Sequence, residues 1–156
     1  MRGIAAWALG SLRATDQESI QALRKALKDE NAWVRMRAAE ALGRLGATDQ
    51  ETIQALRKAL KDEDAWVRMR AAEALGSLGA TDEALQALRK ALKDENALVR
   101  VYAANVLGSL GATDEALRAL RGVLKDEDAL VRDMAFSALW EISERTGVWI
   151  EPDKQS

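Results

Sequence analysis

Apolar residues recur along this chain at intervals of three and four, the spacing of α-helices that bury one face. One stretch places five of them on the same side of a helix: Val34, Ala38, Ala41, Leu42 and Leu45. After a short Gly-Ala-Thr-Asp loop, a second stretch does the same with four: Ile53, Leu56, Ala59 and Leu60. The pattern predicts two amphipathic helices that form a hairpin by packing their apolar faces together.

The first of these helices belongs to a motif that recurs along the chain. Trp33 has counterparts at Trp66, Leu98 and Leu130, at successive intervals of 33, 32 and 32 residues, and a shorter copy opens the chain at residues 2–10. A single hairpin cannot bury its apolar face alone, so the copies must stack on one another. We therefore predict an all-α protein, an α-solenoid of nine helices or about four and a half hairpins.

The repeats set the expected boundaries. We predict one continuous array over residues 1–147, with a shortened first repeat at 1–30, repeats near 31–63, 64–95 and 96–127, and a C-terminal cap helix at 128–147. Residues 148–156 form a tail, in which Trp149 and Ile150 are expected to fold back over the last helix pair. The flank of the first helix formed by Ile4, Ala8 and Leu9 has no preceding hairpin. This predicts either a homodimer through that helix or a chain cut from a longer array.

The residues at the predicted helix ends have the chemistry of caps. Each first helix follows a side chain that can accept a backbone N–H: Asn31, Asp64, Asn96 or Asp128. Glycines suited to a left-handed turn follow the same helices: Gly46, Gly79 and Gly111. The second helices are expected to be capped by threonines: Thr15, Thr48, Thr81 and Thr113.

The amino-acid composition excludes several kinds of functional site. The 156 residues include no cysteine and no histidine, which removes disulfides, thiolates and histidine-based catalysis or zinc binding. We expect no enzyme activity, no cofactor and no metal. The 23 basic and 25 acidic residues give a net charge of −2, too balanced for a dedicated nucleic-acid-binding protein. No apolar run is long enough for a membrane span or a signal peptide, so the expected location is the cytoplasm.

The repeated motif reads Asp/Asn-Ala-Trp/Leu-Val-Arg-x-x-Ala-Ala-x-Ala-Leu-Gly-x-Leu-Gly, followed by a second helix that ends Ala-Leu-Lys-Asp. It resembles the HEAT-like repeats first described in phycobilin lyase subunits, and it is closely similar to the αRep artificial proteins built from a consensus of those repeats. The resemblance covers the chain to about Thr146. It implies an α-solenoid that binds partners on its concave face. The Gly-Ala-Thr-Asp loop and the lack of designed end caps depart from the αRep pattern.

The copies differ most at five positions of the first helix, those of Trp33, Met36, Arg37, Glu40 and Arg44. These positions lie on one side of the helix, opposite the constant apolar seam. Variation confined to one side is the pattern expected of a surface that binds a partner. In αRep-like proteins the ligand-contacting positions match these sites; the alternative is that exposed positions drift neutrally. We predict a protein- or peptide-binding stripe on the concave face with these residues: Trp33, Met36, Arg37, Glu40, Arg44, Trp66, Met69, Arg70, Glu73, Leu98, Val101, Tyr102 and Asn105.

Trp33 and Trp66 allow two interpretations. With arginines and methionines beside them, they have the composition of interface hot spots. Equally, each indole packs on the start of the next helix and braces the stack. A further set is assigned a structural role, an Arg–Asp ladder between successive repeats. Its members are Arg35, Arg68, Arg100, Arg132, Asp29, Asp62, Asp94 and Asp126.

Three functions follow as hypotheses. The leading one is a non-enzymatic protein-interaction scaffold that uses the concave stripe. The second is an accessory, non-catalytic subunit of an enzyme complex, similar to a bilin lyase partner; HEAT-like iron-dependent hydroxylases rely on His-Glu ligands, which a chain without histidine does not supply. The third is nucleic-acid binding along Arg37, Arg44 and Arg70, which Glu40 and Glu73 in the same stripe oppose.

Overall fold

The computed structural model describes residues 17–149, and all regular structure in that range is α-helical. Its eight helices are α1 (Gln17–Ala26), α2 (Ala32–Leu45), α3 (Gln50–Ala59), α4 (Ala65–Ser77), α5 (Thr81–Ala91), α6 (Ala97–Ser109), α7 (Thr113–Val123) and α8 (Ala129–Thr146). The all-α class is confirmed. The sequence predicts nine helices, and the opening copy at 2–10 lies outside the described residues. So do Ile4, Ala8, Leu9, Thr15 and Ile150, and the homodimer stays a prediction.

The chain divides into two compact units, Met1–Ala87 and Leu88–Ser156, with the boundary inside α5. In the first unit, α2 packs along α4, α1 contacts both α2 and α3, and α3 contacts α4. In the second unit, α6 packs against α7 and α8, and α7 also contacts α8. In the second unit, α6 and α7 pair as the predicted hairpin does, whereas in the first unit α1 and α3 each contact chiefly the first helix of the following repeat.

The predicted apolar seam forms the interior of the first unit. Val34, Ala38, Ala41 and Leu42 are buried on α2, and Leu56 and Ala59 are buried on α3. At the edges of the seam, Leu45, Ile53 and Leu60 are only half-buried. In the second unit the largest fully buried side chains are Leu88, Val99, Leu107, Leu117, Leu120 and Ile142. Small alanines on the first helices and leucines on the second helices therefore share the core.

Two glycines bring the first helices of successive repeats into direct contact. At Gly43 of α2, an added Cβ atom would lie 2.9 Å from both Cα and Cβ of Ala74 in α4. At Gly108 of α6, it would lie 2.7 Å from Cδ1 of Ile142 in α8. Both distances are well below the ~3.5 Å of a favourable carbon–carbon contact. Within each unit, the absence of a side chain thus sets how closely two helices approach.

Local capping chemistry begins and ends the first helices as predicted. The side chains of Asn31, Asp64, Asn96 and Asp128 each accept the backbone N–H two residues further on, at 2.8–2.9 Å. At the other ends, φ is positive at Gly46 (68°), Gly79 (91°) and Gly111 (95°). Only glycine adopts that conformation without a steric penalty from Cβ.

The predicted threonine caps are wrong in the described copies. Asp49 caps α3, because its carboxylate accepts both the backbone N–H and the hydroxyl of Thr52, at 3.0 and 2.8 Å. The ionised carboxylate accepts both bonds as charge-assisted hydrogen bonds, which are stronger than those that a neutral threonine hydroxyl accepts. In the two later copies the chain is one residue shorter at this point. There Thr81 and Thr113 are themselves the first helical residues.

The last helix ends at Gly147, which has φ of 70°. The chain then turns so that Trp149 meets Trp140 edge-on, with ring centroids 5.4 Å apart and planes at 73°. Trp149 therefore lies on the last helix, as expected, but both indoles are more than half exposed. Trp140 is the counterpart of Gly43 and Gly108 in the repeat.

The same substitution at two glycines tests the contact between first helices. Gly43→Ala forces α2 and α4 apart, and we expect the free energy of unfolding to fall by about 1–3 kcal/mol. Gly122, inside α7, has nothing within 4 Å of its Cβ position. Gly122→Ala should therefore raise the free energy of unfolding by about 0.5–1 kcal/mol through helix propensity. Urea unfolding followed by circular dichroism measures both, and changes of equal sign would contradict the interpretation.

Candidate functional site

The predicted binding stripe lies along α2 and α4 in the first unit and along α6 in the second. In the first unit, Trp33 and Arg44 are exposed. Six other members are half-buried: Met36, Arg37, Glu40, Trp66, Arg70 and Glu73. In the second unit the half-buried members are Leu98, Tyr102 and Asn105. Eleven of the thirteen predicted residues thus keep some surface.

Met69 and Val101 do not present a surface, and their assignment as partner-contacting residues is wrong. Their side chains are buried, with exposed fractions of 2% and 5%. Each lies two helical turns before the counterpart of Gly43 in its own helix, Gly76 or Gly108, and so shares that side of the helix. Their counterpart Met36 is only half-buried. Position in the repeat alone does not decide the exposure of this side chain.

Trp33 is the exposed aromatic residue of the stripe. Its side chain is 43% exposed, and the guanidinium carbon of Arg37, one turn along α2, lies 5.4 Å from the ring centroid. This distance is within the range of a cation–π contact, so Arg37 holds the indole against the helix while one face stays open. Nε of Arg37 is buried and donates to no acceptor among the described residues. Trp66, by contrast, is half-buried, so the two tryptophans are not equivalent.

Charged residues continue the stripe beyond the indole. Arg37 Nη1 donates to Glu40 Oε2 at 2.8 Å, and Arg44 Nη1 lies 3.7 Å from Glu40 Oε1. On α4, Arg70 Nη1 donates to Glu73 Oε2 at 2.8 Å. Each glutamate therefore sits beside at least one arginine. The surface offers both signs of charge rather than a basic track.

A cavity of about 270 Å³ opens between these charged groups, with Glu40 and Arg44 of α2 on one side and Arg70 and Glu73 of α4 on the other. Gly43, Ala74 and Ser77 complete its lining. The predicted residue set leaves out these three. Ser77 takes the place of Arg44 in the next repeat, and this exchange of a long side chain for a short one makes room for the cavity.

The described part of the last repeat also has exposed residues at stripe positions. Leu130 and Met134, the counterparts of Trp33 and Arg37, are 63% and 42% exposed. They lie outside the predicted binding set. In the sequence, both are apolar residues at positions where the motifs of α2 and α4 carry a tryptophan and an arginine.

The Arg–Asp ladder has one tight rung in the first unit and a looser one in the second. Arg35 donates from Nε and Nη2 to the two carboxylate oxygens of Asp62, at 2.8 and 3.0 Å. Arg100 Nη2 donates to Asp126 at 3.4 Å. In both units the same arginines also close their own turns: Nη1 of Arg35, Arg68, Arg100 and Arg132 donates to the carbonyl oxygens of Asp29, Asp62, Asp94 and Asp126, at 2.7–2.8 Å. Each arginine therefore stabilises the loop that precedes its own helix.

Asp62 is held in its ionised form by this arrangement. Burial raises the pKa of its carboxyl group, but hydrogen bonds from Arg35 and from the backbone of Asp64, with the charges of Arg35 and Arg68, lower it more. The net pKa lies below the ordinary value. Both partners are nearly buried, with side-chain exposures of 10% for Arg35 and 12% for Asp62.

Asp62→Asn should lower the free energy of unfolding at pH 7 by about 3 kcal/mol, because it replaces a bidentate, charge-assisted contact and leaves Arg35 with only the exposed Glu63, 3.6 Å from its Nη2, as a counter-charge. A carboxyl group whose pKa is lowered on folding stabilises the protein above its unfolded pKa of about 3.9. That stability disappears as the pH falls through the folded pKa. The gap between wild type and variant should therefore narrow below about pH 4.

Urea unfolding at a series of pH values measures this gap. Glu83→Gln is the matched control, because the Arg57–Glu83 pair has the same chemistry but lies exposed. We expect a much smaller effect there, since solvent screens exposed pairs. A gap between wild type and the Asp62 variant that does not change with pH would contradict the assigned role of the pair.

Among residues 17–149, no group of three or more His, Cys, Asp or Glu side chains is placed to hold a metal ion. None of the eight helices there has the length and apolar character needed to span a bilayer. What the arrangement provides is a mixed aromatic and charged surface.

Comparison with known proteins places the chain in a family. The sequence model of the family described as HEAT repeats matches residues 1–75, 47–100 and 85–148. No curated protein matches the chain. One similar solved structure is the complex of CpcE and CpcF of phycocyanin lyase from Nostoc sp. PCC7120, with 27% identity and a TM-score of 0.57 over 92% of this chain and 59% of that one.

Two further solved structures extend the comparison. Human deoxyhypusine hydroxylase is 31% identical, with a TM-score of 0.52 over 83% of this chain and 45% of that chain. An engineered protein is 27% identical, with a TM-score of 0.46 over 94% of this chain and 74% of that one. This chain spans less than two thirds of the lyase and hydroxylase chains that it matches.

Proposed function

The chain belongs to the HEAT-repeat family, and from that premise we propose that it is a non-enzymatic module that binds a protein or peptide along the stripe of α2 and α4. Repeat proteins of stacked helix pairs commonly use such surfaces as interaction scaffolds. The observation that carries the proposal is Trp33, an indole 43% exposed and held in place by Arg37. Tryptophan and arginine are the residues most enriched in interface hot spots.

The neighbouring charges indicate the chemistry of the partner. An apolar side chain of the partner would cover the open face of Trp33, and polar or charged groups would enter the cavity lined by Glu40, Arg44, Arg70 and Glu73. A peptide supplies apolar and charged groups together. Because Arg37 and Arg70 each donate to a glutamate and Arg44 lies 3.7 Å from Glu40, a phosphate backbone would meet carboxylates beside the arginines of the stripe. These contacts favour a protein partner over a nucleic acid.

An accessory role in an enzyme complex is the second candidate. The similarity to phycocyanin lyase favours it, because that solved structure is a complex of two proteins and matches 92% of this chain. In this reading the stripe binds the other subunit, and the complex alone has activity. The two candidates share a surface and differ in the partner. Activity that appears only when a purified partner is added would favour the accessory role.

Peptides selected from a displayed random library against the wild-type protein test the binding surface. Their affinities for Trp33→Ala and for Trp149→Ala are then compared by fluorescence polarisation. We expect binding to Trp33→Ala to weaken by about thirtyfold, the effect of losing a hot spot of about 2 kcal/mol. Trp149→Ala removes a more exposed indole, 58% against 43%, from outside the stripe and should leave the affinity unchanged.

Circular dichroism and thermal unfolding serve as the control for folding, since a half-exposed side chain should contribute little to stability. If every selected peptide binds Trp33→Ala as tightly as it binds wild type, the proposed stripe is wrong. Trp66→Ala separates the two interpretations of the tryptophans. A loss of thermal stability without loss of affinity assigns Trp66 to bracing, whereas the reverse assigns it to binding.

A further inference from the structure

A second surface of the first unit lies between the second helices α1 and α3. These helices border a groove of about 480 Å³. Leu27, Ala55 and Ala59 form its apolar floor, where Leu27 and Ala59 each have an exposed fraction of 7%. Three lysines line its rim: Lys25, Lys28 and Lys58. None of the stripe residues borders this groove.

The acidic residues of the groove already contact arginines. Glu51 and Asp49 share Arg24, with Asp49 Oδ2 at 3.0 Å from Arg24 Nη1. Asp62 receives two hydrogen bonds from Arg35. The lining still carries more positive than negative charge, because Arg24 and the three lysines face only Glu51 and Asp62.

The lysines themselves are available to a ligand. All three are exposed, and none of their ammonium groups forms a hydrogen bond or ion pair with any part of the described chain. Three ammonium groups around one apolar floor give the groove a lining with a net positive charge. Charged rims of this kind attract an oppositely charged partner and set its orientation.

We propose that the groove between α1 and α3 binds an acidic segment of a partner protein that also carries apolar side chains. Its carboxylates pair with Lys25, Lys28 and Lys58, and its apolar side chains pack on Leu27, Ala55 and Ala59. A nucleic acid fits less well, because a phosphate backbone has no apolar side chains to pack on the floor of the groove. This surface is separate from the stripe on α2 and α4.

The repeat sequence shows where the lysine of this groove recurs. Lys25 and Lys58 are counterparts in successive repeats, and Lys90 of α5 occupies the same position. In α7 the corresponding residue is Gly122. The lysine at this repeat position is therefore absent from α7.

Binding of a fluorescein-labelled peptide made of three Glu-Glu-Leu-Leu repeats tests the proposal by fluorescence polarisation. The groove variant is Lys25→Glu with Lys58→Glu. The matched control is Lys90→Glu with Lys93→Glu, which changes the net charge equally at exposed lysines outside the groove. We expect the groove variant to bind about tenfold more weakly or worse, from two reversed rim pairs, and the control to stay near wild type.

The remaining outcomes are equally decisive. An equal loss of peptide affinity in the two double variants would show that the attraction is diffuse, and it would overturn the proposal. A wild-type protein that does not bind the peptide would overturn it as well. Single-stranded oligothymidylate that binds wild type as tightly as the peptide would replace the protein partner with a nucleic acid. Trp33→Ala should bind the acidic peptide normally, so failure of this groove and failure of the stripe are distinguishable. Far-UV circular dichroism confirms that each variant is folded.

Discussion

The close approach of consecutive first helices is the constraint on which the rest of each unit depends. At Gly43 an added carbon atom would meet the backbone of Ala74, and at Gly108 it would meet the end of the Ile142 side chain. Since close-packed interiors tolerate little added volume, these glycines and the alanines around them hold the helices at one spacing. The second helices then pack on the outer sides of that pair. The widths of the cavity between α2 and α4 and of the groove between α1 and α3 follow from this spacing.

Structural and recognition roles fall on different sides of the same helix. The buried side of α2 carries Arg35, whose hydrogen bonds to Asp62 and to the carbonyl of Asp29 stabilise both its own turn and the next repeat. The open side carries Trp33 and Arg37, which contact each other and leave an indole face exposed. Because the two sets do not overlap, the open side can change without loss of the packing.

The last helix shows what happens when the glycine is replaced. Trp140 occupies the position of Gly43 and Gly108, and Phe136 occupies that of Ala39. Both are more than half exposed, and Trp149 lies edge-on against the first of them. An indole fills the space that a neighbouring helix takes up at Gly43. Another first helix cannot approach α8 on this flank at the distance seen between α2 and α4.

The sequence by itself determined the helices, the repeat, the apolar seam and the caps of the first helices, because these depend on residues within a few positions of one another. Only the tertiary structure decided which stripe residues keep a surface. Met69 and Val101 are buried and Met36 is half-buried, although all three share one repeat position, since neighbouring helices decide what covers a side chain. The cavity between α2 and α4 and the groove between α1 and α3 could not be predicted from the sequence either. Each is bounded by two helices, so its existence depends on how those helices pack.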